Sequence, residues 1–342
     1  MRLSVLDLVP VRTDQTTGDA LAATVRLAQA ADRLGFTRYW VAEHHNMPSV
    51  GATSPPVLIA YLAAQTSQLR LGSGGVMLPN HAPLAVAEQF ALLEAAAPGR
   101  IDLGIGRAPG SDPVTSYALR ASRGDEDIEK FPEYLDDVAA LMSARGVVVP
   151  LRSGDYRLKA TPAAAGEPRL WLLGSSMYSA HLAAAKGLPY VFAHHFSGHG
   201  TEEALEVYRS RFRPSSLTPE PLTFLTVNAA VAETRDEATA LMLPNLQMMA
   251  KLRTGQPLGP VPLVEEAERA ELTPQQHIVE SGLRRAVLGT PAEAAEQVRE
   301  LARRFDVDEV MVNPVASARR GTAPSTAPAR VATLELLAKE LF

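Results

Sequence analysis

A chain of 342 residues, 46% hydrophobic and 21% charged, carries enough apolar material for one large core. Its net charge of -5 argues against nucleic acid, which selects a basic face, and it has no run of about 18 apolar residues to span a membrane. Cysteine is absent, which removes disulfides and thiolate chemistry and leaves imidazole, carboxylate, hydroxyl or a borrowed cofactor.

The N-terminus runs straight into a strand pattern at residues 3–9, without the features of a signal peptide, so a cytoplasmic location is expected. Leu21, Val25, Ala28 and Ala31 then recur at helical spacing through residues 18–34, and Gly35 closes that helix. A strand at 38–42 follows and ends in Glu43, His44 and His45. Prolines suited to a first turn open a helix at 55–67. A strand interrupted by glycines covers 69–79, a helix 84–96 and a strand 100–107. Four alternations in just over 100 residues imply a parallel sheet with right-handed crossovers. The connection at 108–130 is far longer than an ordinary strand-to-helix loop and is expected to belong to a site.

A helix at 131–144 precedes a surface hairpin, with 147–149 and 156–158 flanking Arg152 to Asp155. Further strands are expected at 169–173, 190–193, 222–231 and 309–313. Helices are expected at 179–186, 202–213, 235–243, 291–305 and 329–341. Residues 244–282, rich in proline and glycine, read as an irregular excursion with a charged helical stretch at 263–272. Eight strands alternating with helices predict a (β/α)₈ TIM barrel, one domain over residues 1–342, with an insertion after the seventh strand and its site at the C-terminal ends of the strands. An open doubly wound sheet is the competing fold, but Pro10, Val11 and Arg12 stand where its G-x-G-x-x-G turn belongs.

The polar clusters fall at these strand ends: Glu43, His44 and His45; Gly74 and Gly75; Arg107 with Asp112; Ser175 and Ser176; His194 and His195. Gly174, Ser175 and Ser176 before a helix offer backbone N–H groups and hydroxyls to an anion, or else an ordinary serine cap. Arg107 adds a guanidinium and points to a phosphorylated ligand. Gly72, Gly74 and Gly75 fit either a flat ring against the backbone or a β-bulge. No metal is expected: His44 and His45 are adjacent on a strand and point apart, and no H-x-H or H-E-x-x-H spacing occurs. A serine hydrolase lacks its G-x-S-x-G elbow.

The run from Trp40 to His45, that from Leu71 to Pro79, that from Gly99 to Arg107, and Gly187–Leu188–Pro189 together resemble the bacterial luciferase-like flavin monooxygenases. The similarity covers nearly the whole chain in order. It implies an FMN-dependent barrel, supplied with reduced FMN by a separate flavin reductase, that uses O₂ to place one oxygen on an apolar organic substrate. On this resemblance Gly74 and Gly75 match a non-proline cis peptide beside the flavin ring. Arg107, Ser176 and Ser179 match phosphate-binding positions, with Ser175 and the Met177 N–H nearby. His44 matches the catalytic imidazole. Glu43, His45, Asp112, His194 and His195 are substrate-pocket candidates, with Glu43 and His45 also read as supports for His44.

The luciferase subunits carry an acidic residue where Ser175 stands, and the loop after Arg107 is one residue shorter here, which loosens the match at Asp112. The version in this chain is similar to the non-luminescent, single-gene branch, which includes tailoring oxygenases of secondary metabolism. The family also implies a homodimer. F420-dependent hydride transfer on the same barrel, and a non-catalytic flavin-binding protein, are the alternatives.

Overall fold

The computed structural model describes residues 1–108, 112–120, 126–161, 166–271 and 275–342. Its strands are β1 (Arg2–Asp7), β2 (Arg38–Val41), β3 (Arg70–Ser73), β4 (Val76–Met77), β5 (Ile101–Gly106), β6 (Val147–Leu151), β7 (Gly154–Leu158), β8 (Arg169–Gly174), β9 (Tyr190–Phe192), β10 (Leu225–Val231), β11 (Val287–Gly289) and β12 (Glu309–Pro314). The main sheet is parallel throughout, in the order β11, β10, β12, β1, β2, β3, β5, β8, β9, with β4 also paired to β5. It curls until Tyr190 of β9 bridges Thr223, just ahead of β10. β6 and β7 form the expected antiparallel hairpin apart from this sheet.

Helices α1 (Thr17–Leu34), α2 (Pro55–Ala63), α3 (Pro83–Ala96), α4 (Pro113–Leu119), α5 (Glu126–Glu129), α6 (Phe131–Met142) and α7 (Met177–Lys186) accompany the first half of the sheet. The second half has α8 (His194–Ser197), α9 (Thr201–Ser210), α10 (Arg235–Arg253), α11 (Val264–Ala267), α12 (Gln276–Arg285), α13 (Pro291–Phe305) and α14 (Pro328–Leu341). Local chemistry sets their ends. Thr16 and Asp19 form a capping box at the start of α1, and Gly35 ends it at φ 82°, a left-handed conformation that glycine adopts without a Cβ penalty.

Alternation along the strands sorts two cores. Leu3, Val5, Tyr39, Val41, Leu71, Leu103 and Leu172 pack under the helices, while Leu6, Trp40, Trp171, Val191, Phe224 and Met311 fill the inside of the curl. Trp40, Trp171 and Phe224 meet edge to face at centroid separations of 5.0–5.6 Å. Beneath them, at the N-terminal ends of the strands, the Arg38 guanidinium donates to Glu309 Oε1 (2.6 Å) and Oε2 (3.0 Å) and to Asp102 Oδ2 (2.7 Å). Arg70 and the Trp40 indole also donate to Asp102, and Ser4 to Glu309. This paired, buried network closes one end of the curl, which leaves the opposite, C-terminal end for chemistry.

Two connecting segments differ from the sequence reading. The connection at 108–130 holds α4 and α5 rather than only loop; its residues 109–111 and 121–125 lie outside the described ones. Residues 244–282 are not irregular from their start, because α10 continues through Pro244 to Arg253. A proline inside a helix removes one backbone bond and crowds the turn before it. Here the Leu241 carbonyl, in that turn, accepts from the Ser317 N–H at 2.8 Å, and Leu241, Met242, Leu246 and Ala250 are buried on the helix's inner face. Tertiary contacts thus sustain what local propensity opposes. The charged stretch at 263–272 reduces to the single turn α11, and residue 272 lies outside the described ones.

Candidate active site

The sequence-derived site residues do gather at the C-terminal ends of the strands, but in different states of engagement. Past β2, Glu43 is fully buried. Its Oε1 accepts from the Nε2 atoms of His45 (2.8 Å) and His81 (2.7 Å), and its Oε2 from the Met77 N–H (3.0 Å). Burial pushes its carboxyl up, but the bonds from His81, His45 and Met77 outweigh that and leave it below the usual range. Glu43 therefore has its acceptors engaged by the protein itself, which fits the supporting role and not the substrate contact. It ties the β2 end to β4. His81, the third member, carried no spacing signal in the sequence.

His44 is half-buried, and its N–H donates to the Ala52 carbonyl at 2.9 Å. Its Nδ1 is buried without a hydrogen-bond partner. Burial lowers its pKa, with Glu43 opposing and His45 adding to the effect, so the ring is neutral near pH 7 and has an unused nitrogen.

The Gly74–Gly75 peptide is cis. A Cβ on Gly72 would lie 2.6 Å from Trp40 Nε1, one on Gly74 2.8 Å from Leu6 Cδ1, and one on Gly75 would collide with Leu173 Cδ1. The missing side chains are thus demanded by the protein's own inner core, a cause the sequence reading did not weigh.

Across the mouth, Arg107 follows β5 and is exposed; its guanidinium carbon stands 4.1 Å over the Tyr178 ring. Tyr178 is in the first turn of α7, so the cation is held beside that helix N-terminus. Ser175, Ser176 and Met177 are exposed there, and the Ser176 side chain makes no capping bond. Ser179 differs. It is 7% exposed, donates to the Ser176 carbonyl at 2.7 Å and lies 3.1 Å from the Tyr190 hydroxyl. A Cβ at Gly174 would collide with it. Its hydroxyl proton is thus engaged within the turn, where the sequence reading expected a phosphate contact, because the third helical position faces back under Gly174.

Asp112 caps α4. It accepts from the N–H groups of Val114 (2.9 Å) and Thr115 (3.0 Å), the Thr115 hydroxyl (2.6 Å) and Asn46 (3.3 Å). The Thr115 bonds lead in pulling its carboxyl down to about 2. Its lone pairs are spent on structure rather than on a substrate.

His194 and His195 open α8 instead of ending a strand. His195 Nδ1 lies 2.8 Å from the Thr226 hydroxyl, which itself donates to the Phe192 carbonyl (3.2 Å). One hydroxyl proton serves one acceptor, so Nδ1 of His195 is the donor and its Nε2 keeps a lone pair. Burial first, then His194 and His44, push its pKa down to about 4. His194, 2.8 Å from the Thr201 hydroxyl, is also near 4, from burial and then Arg285, Arg304 and His199. Both rings line a pocket with Asn228, Met242, Asn245, Leu246, Met249, Arg253, Ile278 and Arg285. Among the described residues no group of three or more His, Cys, Asp or Glu is placed to hold a metal.

Comparison with known proteins bears on this arrangement. Residues 1–308 match the family model for luciferase-like monooxygenase. A protein of Escherichia coli (strain K12) named luciferase-like monooxygenase is 40% identical over 310 residues, covering 91% of this chain and 90% of its own. The N-acetyl-S-alkylcysteine monooxygenase of Bacillus subtilis (strain 168) is 35% identical, covering 93% and 94%. The crystal structure of apo-MsnO8 superposes with a TM-score of 0.84 at 33% identity, over 99% of this chain and 98% of that one. At the level of fold alone, the chain also resembles a type II Baeyer-Villiger monooxygenase solved with FMN (TM-score 0.68, 17% identity) and an F420-dependent secondary alcohol dehydrogenase (0.64, 15%). With the family model spanning most of its length, this chain belongs to the luciferase-like monooxygenases.

Proposed function

We propose that the protein is an FMN-dependent monooxygenase that takes reduced FMN from a separate reductase and, with O₂, oxygenates a largely apolar organic molecule. The observation that carries this reading is Arg107, held over Tyr178 at an α7 N-terminus whose serine makes no capping bond. A guanidinium, two exposed hydroxyls and the first-turn N–H groups form a donor set that fits a phosphate monoester. Arg107, Ser175, Ser176 and the Met177 N–H would hold the FMN phosphate, with Ser179 setting the turn and Gly74–Gly75 beside the ring system. Bound reduced flavin supplies the two electrons that activate O₂.

His44 is the group in this reading that handles a proton. Its Nδ1 is unpartnered and buried, and its neutral state at pH 7 suits a base. The network of Glu43, His45 and His81 fixes the backbone on either side of it. We also infer that the Tyr190–Thr223 bridge closes the curled sheet as a (β/α)₈ barrel over a single domain, with 244–282 an excursion that covers the site. Exposed Val57, Tyr61 and Leu92 on the adjoining helices α2 and α3 support a homodimer through that face. A cytoplasmic tailoring step in secondary metabolism is the biological setting we favour. The activity named for the Bacillus relative makes S-alkyl cysteine conjugates the first substrates to try.

The test supplies reduced FMN and reduced F420 separately to the protein, under ¹⁸O₂, with a substrate panel. One labelled oxygen in the product with reduced FMN supports the reading, and turnover without O₂ on reduced F420 replaces it with hydride transfer, the reading for which the F420-dependent fold neighbour speaks. His44→Ala should lower oxygenation while FMN affinity stays within about twofold; full turnover in that variant removes His44 from the mechanism.

A further inference from the structure

The loops that follow β1, β2 and β12 enclose, with α10, a cavity that the flavin reading leaves unused. Hydrogen bonds between loops build its frame: the Val11 N–H donates to the Ser49 carbonyl (3.0 Å), and the Val261 N–H to the Val11 carbonyl (2.8 Å). Leu8, Val50, Met248, Val261 and Ala316 supply much of the wall, and Ser49, Asn245 and Asn313 are neutral polar members of it. Arg12 and Arg330 also line it, but each guanidinium faces a carboxylate. Arg12 donates to both Asp14 oxygens (2.9 and 3.2 Å) and Arg330 to Asp7 Oδ1 (2.6 Å). The surroundings are therefore largely apolar, with their charges paired.

Two polar groups of this cavity are left with capacity that the fold does not use. Ser49 is 1% exposed, and its Oγ has no hydrogen-bond partner. A buried hydroxyl in that state costs stability. Asn313 reaches a comparable condition through a chain of amides. The His195 carbonyl can only accept, so the Asn228 atom 3.0 Å from it is the NH₂ nitrogen. Asn228 Oδ1 then accepts from Asn313 Nδ2 at 2.8 Å, the two residues being register partners on β10 and β12. The Asn313 carboxamide is thereby oriented, and among the described residues its Oδ1 has no donor, although the residue is buried.

We propose that this cavity binds an uncharged, hydrogen-bonding end group of the substrate, a carboxamide or an alcohol, through the Ser49 hydroxyl and Asn313 Oδ1. Ser49 offers a donor to the ligand oxygen, and Asn313 an acceptor to its N–H or O–H. A carboxylate would meet the Asn313 lone pair, an ammonium would meet guanidinium groups, and either would lose its hydration against an apolar wall. A volume of about 50 Å³, at roughly 10–15 Å³ for a water-sized group, admits an end group rather than a whole molecule. Asn245 lines both this cavity and the pocket of His194 and His195, so the two spaces adjoin and the rest of the molecule extends toward His195. That the bound molecule is the substrate rests on the monooxygenase reading; the preference for an uncharged group does not.

The experiment measures binding without turnover, by calorimetry on the full chain with and without oxidised FMN. The probes share one body: 4-phenylbutanamide, 4-phenylbutan-1-ol, 4-phenylbutanoate and 4-phenylbutylammonium. At least one neutral probe should bind tenfold or more tightly than either charged one. Ser49→Ala should weaken that probe fivefold or more, yet leave the urea midpoint of the free protein unchanged or raised, because it deletes a hydroxyl that the fold does not satisfy. Ala329→Leu, from the cavity wall, should abolish its binding. A preference below tenfold, no binding by either neutral probe, or an unchanged affinity in Ser49→Ala or Ala329→Leu overturns the proposal. A urea midpoint that falls in free Ser49→Ala protein also overturns it, since the hydroxyl then serves the fold through ordered water. Selection of a neutral probe with no labelled oxygen incorporated across the ¹⁸O₂ panel would instead leave this site standing and sink the monooxygenase reading.

Discussion

Glu43→Gln probes the framework on which the site is built. The native carboxylate offers acceptors to three donors: the Nε2–H groups of His45 and His81 at Oε1 and the Met77 N–H at Oε2. Glutamine has nearly the same shape but exchanges one oxygen for an NH₂ group. If its carbonyl stays toward the imidazoles, NH₂ faces the Met77 N–H; if it flips, NH₂ faces both rings. Either orientation orphans at least one buried donor, at about 1–3 kcal/mol, and turns charge-assisted bonds into weaker neutral ones. We expect a loss of about 2–4 kcal/mol in urea unfolding at pH 7. A cycle with His81→Ala should show coupling of about 1 kcal/mol or more. The pH dependence has a fixed sign. A carboxyl held below its ordinary value near 4.5 stabilises the fold above that value, and the contribution fades as pH falls through the lower native value. The gap between native protein and variant should therefore shrink below pH 4.5. An unchanged urea midpoint at pH 7, or a gap that persists undiminished to pH 3, refutes this account of Glu43.

Arg107→Ala should weaken FMN by about 10- to 100-fold and riboflavin much less, read by quenching of flavin fluorescence, since a charged hydrogen-bond partner of phosphate is worth about 1.5–3 kcal/mol; equal loss for both flavins refutes a phosphate contact. Gly174→Ala drives a Cβ into Ser179 and should cost about 1–3 kcal/mol, whereas Gly106→Ala meets only Met77 Sδ at 3.6 Å and should be nearly neutral by thermal unfolding. His194 and His195, near 4 in the folded protein against an ordinary 6.5, bind protons sooner in the unfolded chain, so stability falls as pH drops from about 6.5 to about 4. His195→Asn should flatten that slope by about 1–2 kcal/mol over the window, allowing for the solvent that reaches a half-buried ring; an unaltered slope contradicts the neutral assignment. Leu92→Glu with Val57→Glu should convert a dimer to monomer in analytical ultracentrifugation, and an unshifted sedimentation coefficient removes the α2 and α3 face from the interface.

The sheet was legible in the chain because its strands bury both faces. Continuous apolar runs such as those around Tyr39, Leu103 and Leu172 can hardly be anything else once they alternate with helical periods. What escaped the sequence was decided by distant contacts. Pro244 reads as a helix end, and only the Ser317 N–H, 73 positions away, reveals why the helix survives it. β11 is three residues long and gains its identity from pairing with the far half of β10. His194 and His195 followed an apolar run and so read as a strand end. The bond from Asn228 to the His195 carbonyl, which holds the turn of α8, is made by a residue of another strand.

The site shows the same division between residue type and residue role. Glu43, His44 and His45 are adjacent and equally polar, so composition cannot rank them. The fold separates them by the partners it supplies: three donors converge on Glu43, His45 spends Nε2 on it, and His44 Nδ1 receives nothing. A buried polar atom left unpaired is costly, and at the mouth of the site His44 Nδ1 is the atom a bound molecule could complete. His195 reaches a similar condition by another route, with Nδ1 fixed on Thr226 and a lone pair left at Nε2. A neutral imidazole past β2 and another in α8 thus each keep an accepting nitrogen.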